Sequence, residues 1–137
     1  MTPMETSVRK ILIVEDDPHL SRAMAIRIRA AGYQVVVACD AVQATSFWRK
    51  ENPSAIIMDI RMPAGDGLRI HESLNEHPDF LIPVIYVSGD GNPEDQARAR
   101  ELGAAAFLHK PVDFNRLLTC IRGCIDAYPS MALEKSL

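Results

Sequence analysis

Cysteine is scarce and poorly spaced for structural work. Cys39, Cys120 and Cys124 are odd in number and show no CxxC spacing, which excludes a disulfide framework and offers no zinc site. They are expected to be three small, buried, reduced thiols. No apolar run approaches the ~18 residues of a membrane span. The opening Met1-Thr2-Pro3-Met4-Glu5-Thr6 lacks the apolar stretch of a secretory signal. Charge of one sign is also lacking. With 15 Lys and Arg against 18 Asp and Glu, the net charge is −3, which argues against nucleic acid or an anionic membrane as the main partner. Neither GxxxxGK(S/T) nor a GxGxxG after the first apolar run is present, so nucleotide binding has no local support. His19, His71, His77 and His109 are scattered without ligand spacing, which favours solvated or packing roles. A single cytoplasmic domain is expected, binding neither nucleic acid nor membrane.

What the chain does have is alternation. Ile11–Val14, Val35–Ala38, Ala55–Met58, Val84–Val87 and Ala105–Leu108 are short, near-continuous apolar runs, the pattern of strands covered on both faces. Helical signals fill the gaps. Asp17-Pro18 and Asn92-Pro93 each read as an N-cap followed by proline at the first helical position. Asp40 with Gln43 reads as a capping box, and Asp113 as the cap of the last helix. Phe114, Leu117, Leu118, Ile121 and Ile125 form one apolar stripe along that helix. Five βα units joined by short loops predict a doubly wound α/β fold over residues 9–127. Residues 128–137 read as a short tail, too short for an output domain.

In an open parallel sheet the functional crevice lies at the carboxyl ends of the strands. Glu15, Asp16 and Asp17 follow the first strand, Asp59 ends the third, Ser88-Gly89 follows the fourth, and Lys110-Pro111 follows the fifth. Converging carboxylates repel unless a cation sits among them, and a few carboxylates with room for water suit Mg²⁺. A lysine and a hydroxyl opposite complete a pocket for a phosphoryl group, with the central carboxylate as nucleophile. Asp17 reads as a helix cap in preference to a ligand because Pro18 follows it. Gly65-Asp66-Gly67 reads as a turn into a helix, without a chemical role.

The elements ILIVEDD, MDIRMPAGDG, VSG and HKP, in this order and each at a strand end, resemble the receiver domain of two-component response regulators over about residues 9 to 127. The resemblance implies a flavodoxin-like five-stranded parallel sheet of order 2-1-3-4-5 with five helices. It implies that Asp59 is phosphorylated by a histidine kinase or histidine phosphotransfer protein, without turnover as an enzyme. It makes Asp16 a direct ligand of Mg²⁺ (or Mn²⁺), Glu15 a ligand through water, and Asp59 and the backbone carbonyl of Arg61 the other protein ligands. Lys110 would hold the phosphoryl group. Ser88 would be the switch hydroxyl, Phe107 the switch aromatic, and the bond into Pro111 cis. A downstream protein, not identified by sequence, would read the face formed by the fourth helix, fifth strand and fifth helix. The family most often has threonine at the switch hydroxyl; serine lacks its stiff rotamer preference. Arg61 and Asp90 carry opposite charges, each two residues beyond a site residue, and are expected to pair over the phosphoryl group. Two alternatives stand beside this reading: a receiver-like interaction module that works without phosphorylation, and a small phosphatase or nucleotide enzyme on a similar fold.

Overall fold

The computed structural model describes residues 9–63, 65–89 and 92–136, with side chains to residue 127. Strands and helices alternate: β1 (Lys10–Val14), α1 (Pro18–Ala30), β2 (Gln34–Ala38), α2 (Ala41–Glu51), β3 (Ala55–Asp59), α3 (Gly67–Asn75), β4 (Val84–Ser88), α4 (Pro93–Glu101), β5 (Ala106–His109) and α5 (Phe114–Ser136). All strand pairs are parallel, and the sheet order is β2-β1-β3-β4-β5. This is the predicted doubly wound architecture, with strand ends within a residue of the apolar runs.

Alternation along the buried strands builds two cores. Leu12, Val14, Ile56, Met58, Val84 and Tyr86 face one layer with α2, α3 and α4. Ile11, Ile13, Ile57, Ile85 and Val87 face the other, with Met24 and Ile28 of α1 and Leu117, Ile121 and Ile125 of α5. Residues of β3 and β4 are buried throughout, whereas the edge strand β2 is only partly covered. Both faces of the central strands therefore leave water, which accounts for their unbroken apolar character.

The helix starts follow the predicted caps. Asp17 accepts from His19 N and Leu20 N, Asp40 from Gln43 N, and Asn92 from Glu94 N. The Gln43 amide oxygen reaches back to Cys39 N at 2.8 Å, so the capping box closes one residue before the cap itself. Asp113 accepts from Arg116 N at 3.2 Å.

One helix outruns its apolar stripe, and one expectation is corrected. The backbone of α5 stays helical to Ser136, through the segment read as a tail. Met131-Ala132-Leu133-Glu134-Lys135 are good helix formers, and extending a helix is far easier than nucleating one. The cysteines are not buried: Cys39 is exposed, because it lies just past the end of edge strand β2, and Cys120 and Cys124 are half-buried on α5.

Candidate functional site

The carboxyl ends of β1, β3, β4 and β5 bring five of the predicted residues, Glu15, Asp16, Asp59, Ser88 and Lys110, to one sheet edge. β1 and β3 lie side by side at the sheet centre, with Val14 opposite Met58. Glu15, immediately after β1, therefore comes beside Asp59, the last residue of β3. The oxygens of Glu15, Asp16 and Asp59 lie within 4.8 Å of one another. Glu15 is 2% exposed and Asp59 4%, while Asp16 is the most open of the three. Register extends the edge: Asp59 pairs with Val87, and Ser88, fully buried, pairs with His109. Lys110 N donates to Ser88 O at 2.8 Å, tying the start of the Lys110-Pro111 turn to the end of β4. The Lys110–Pro111 peptide is cis, as expected.

Lys110 is the counter-charge. Its Nζ stands 3.2 Å from Glu15 Oε1 and 3.4 Å from Asp59 Oδ1. The approach to Glu15 lacks the alignment of a hydrogen bond, so Oε1 is a buried oxygen without a hydrogen-bond partner. Its charge is met by the Lys110 ammonium instead. Burial and the neighbouring Asp59 charge raise the Glu15 carboxyl to about 7, against the lowering effects of the Asp17 N–H and Lys110. Burial pulls Lys110 down, but Asp59 and Glu15 outweigh it and hold the ammonium above its ordinary value. One lysine thus faces two buried acids, and Asp16 adds a third at the mouth.

Arg61 follows β3, two residues after Asp59. Its guanidinium lies 2.5 Å from Asp95 in the first turn of α4 and 3.7 Å from Asp66, the cap of α3. Asp90, the partner expected for Arg61, lies outside the described residues. Phe107 is half-buried on β5, stacked on Tyr86 with ring centroids 5.9 Å apart.

Three further features escaped the sequence reading. Gly67 opens α3 directly against the carboxyl end of β3. A Cβ there would lie 2.0 Å from the Asp59 carbonyl oxygen, so only glycine permits this approach. The signal was a glycine at a helix start, where no turn demands it. His71 is buried and its Nδ1 meets the Tyr86 hydroxyl at 2.8 Å. Burial, aided by the Arg98 charge, lowers this imidazole to about 4. Its place on the stripe Leu68, His71, Leu74 was the available clue. Asp95 was indistinguishable from a surface acid.

Comparison with known proteins agrees with this geometry. The profile of the family described as response regulator receiver domain matches residues 11–122. A "Probable transcriptional regulator ycf27" of Cyanophora paradoxa is 32% identical over 122 residues, 89% of this chain and 50% of that protein. The "C4-dicarboxylate transport transcriptional regulatory protein DctD" of Pseudomonas aeruginosa is 34% identical over 117 residues, 85% of this chain and 25% of that protein. The chain spans half or less of the length of these curated relatives. Among solved structures, the "response regulator receiver domain protein (CheY-like)" of Methanospirillum hungatei JF-1 superposes with a TM-score of 0.84 at 25% identity. That match covers 91% of this chain and 99% of the other.

Proposed function

This chain belongs to the response regulator receiver domain family, and from that premise we propose that it is a phosphorylation-activated switch with Asp59 as phosphoacceptor. Receiver domains are phosphoacceptor signalling modules, not turnover enzymes. The observation that carries the proposal is the convergence of Glu15, Asp16 and Asp59 within 4.8 Å, with Lys110 3.2 and 3.4 Å from two of them.

The donor set fits Mg²⁺. It consists of hard oxygens, one of them buried and without a hydrogen-bond partner, beside an open mouth that admits water. Asp16, Asp59 and the Arg61 carbonyl would hold the ion, with Glu15 behind a bound water. When bound, Mg²⁺ offsets negative charge on the carboxylates and the incoming phosphoryl group. In the transfer, an Asp59 carboxylate oxygen attacks phosphorus as the donor histidine's P–N bond breaks. The bonding pair returns to the imidazole nitrogen, and the product is an aspartyl phosphate. Lys110, already against Asp59, moves its ammonium onto a phosphoryl oxygen. Ser88 donates its hydroxyl to another and draws toward the site.

Inward movement of Ser88 frees space for Phe107 to turn. Phe107 also lines a groove of about 200 Å³ with Gln96, Ala99, Arg100 and Ala104, between α4 and β5. Its rotation would reshape this groove, the proposed surface for a downstream protein. Donors are a histidine kinase or histidine phosphotransfer protein. The receiver unit is assigned to residues 9–127 and to the cytoplasm, with no nucleic acid or membrane contacted by the unit itself. No helix among the described residues is long and apolar enough to cross a membrane.

The test is incubation with acetyl phosphate and Mg²⁺ followed by intact mass. One phosphoryl adduct, absent from Asp59→Asn and abolished by EDTA, is expected. A parent protein that stays unmodified with both acetyl phosphate and phosphohistidine donors would point to the phosphorylation-independent module.

A further inference from the structure

α4 is held to the body of the protein in an unusual way. Its sequence, Pro93-Glu94-Asp95-Gln96-Ala97-Arg98-Ala99-Arg100-Glu101, contributes one buried residue, Ala99. One alanine supplies little apolar anchorage. Leu102, just past its end, packs against the core, and polar ties hold the rest, among them Gln96 to His109 of β5 at 3.5 Å. At the C-terminal end, Asn75 Nδ2 donates to Leu102 O at 2.8 Å. In the middle, Arg98 pairs with Glu72 of α3. At the N-terminal end the tie is Arg61 to Asp95, a 2.5 Å contact whose carboxylate is 13% exposed.

The N-terminal tie differs from the others because it starts at the proposed phosphorylation site. Arg61 stands two residues beyond Asp59, on the loop whose Arg61 carbonyl would help hold the metal ion. An aspartyl phosphate adds roughly two negative charges and three strong acceptor oxygens. A guanidinium prefers such a bidentate, more highly charged partner to a single carboxylate. Repulsion between the phosphoryl group and the Asp95 carboxylate acts in the same direction.

We propose that Arg61 is a latch on α4: it holds Asp95 in the unphosphorylated protein and transfers to the phosphoryl group on Asp59, releasing the first turn of α4. This inference rests on the reading of Asp59 as phosphoacceptor. It supplies an electrostatic route from the site to the α4 surface that does not pass through Ser88 and Phe107. Arg61 is a positioning residue here, since its side chain acts through α4.

Hydrogen exchange of the α4 amides tests the latch, with phosphorylation scored on the same samples by intact mass. In the parent protein, conversion to the aspartyl phosphate is expected to speed exchange in the first turns of α4 about fivefold, the scale of one partly exposed ion pair. Asp95→Asn is expected to show that faster exchange before phosphorylation and no further gain after it. Arg61→Gln, which keeps the backbone carbonyl, should match it, and the double variant should not exceed either single. Glu94→Gln removes a first-turn charge without touching the Arg61–Asp95 bond, and it should keep the phosphorylation-dependent increase. If no adduct forms in the parent, the reading of Asp59 fails. If the adduct forms while α4 exchange stays constant, or Asp95→Asn responds as the parent does, the latch fails and Asp59 stands.

Discussion

Replacing Gly67 by alanine tests how tightly α3 is seated against Asp59. The new Cβ would lie 2.0 Å from the Asp59 carbonyl oxygen, 2.9 Å from its carbonyl carbon and 2.9 Å from Met58 Cγ. The methionine end can move, but the Asp59 carbonyl belongs to a buried strand paired with β4 through Asp59 and Val87. Gly67 is itself tied down, since its N–H donates to Ile60 O at 2.9 Å. Backbone must therefore part from backbone by about 1 Å, at an overpacking cost of roughly 3 kcal/mol. A displacement of ~1 Å at a reacting group lowers the rate by about a hundredfold. Urea denaturation should show the lost stability, and intact-mass time courses with acetyl phosphate and Mg²⁺ the slowed modification. Gly123→Ala is the contrast. Its Cβ would meet nothing within 4 Å in the middle of α5, so stability should rise by about 0.5–1 kcal/mol with phosphorylation unchanged. A Gly67→Ala protein with parental unfolding and parental phosphorylation kinetics would refute the close-approach reasoning.

Two buried groups give opposite pH dependences in the metal-free protein. Folded Glu15 keeps its proton up to about 7 while the unfolded chain releases it near 4.5, so this group removes stability as pH rises through that window. Folded His71 refuses a proton until about 4 while the unfolded chain accepts one near 6.5, so it removes stability as pH falls. Each shift corresponds to about 3 kcal/mol. Urea titrations from pH 4 to 7.5 should show Glu15→Gln gaining stability over the parent at neutral pH, and His71→Gln gaining it at acid pH; parallel curves for all three proteins would contradict both assignments. Tyr86→Phe leaves His71 Nδ1 buried without its 2.8 Å partner and should cost about 1–3 kcal/mol in thermal or urea unfolding. Asp17→Ala should lower stability by about 1 kcal/mol through the lost α1 cap, with Mg²⁺ affinity unaltered by calorimetric titration; a large loss of affinity would make Asp17 a ligand instead.

Local chemistry was enough to determine the order of elements, their caps and the strand ends that carry the candidate site. Those features depend on neighbours in sequence: a proline after Asp17, a stripe repeating every three or four residues, an acid closing the apolar run Ala55–Met58. Motif order added the sheet arrangement and the roles expected of Glu15, Asp16, Asp59, Ser88 and Lys110, because a doubly wound sheet brings its strand ends to one edge. Tertiary structure alone decided which charges meet. Nothing local distinguishes Asp95 from other helix-surface acids, yet the approach of α4 to the β3–α3 loop makes it the partner of Arg61, 34 residues away. Gly67 reads as turn punctuation until Asp59 is placed against it. His71 becomes a buried neutral imidazole only when α3 lays it on Tyr86 of β4. Apolar periodicity is written along one element, but electrostatic and steric partnerships belong to pairs of elements, and only packing brings those pairs together.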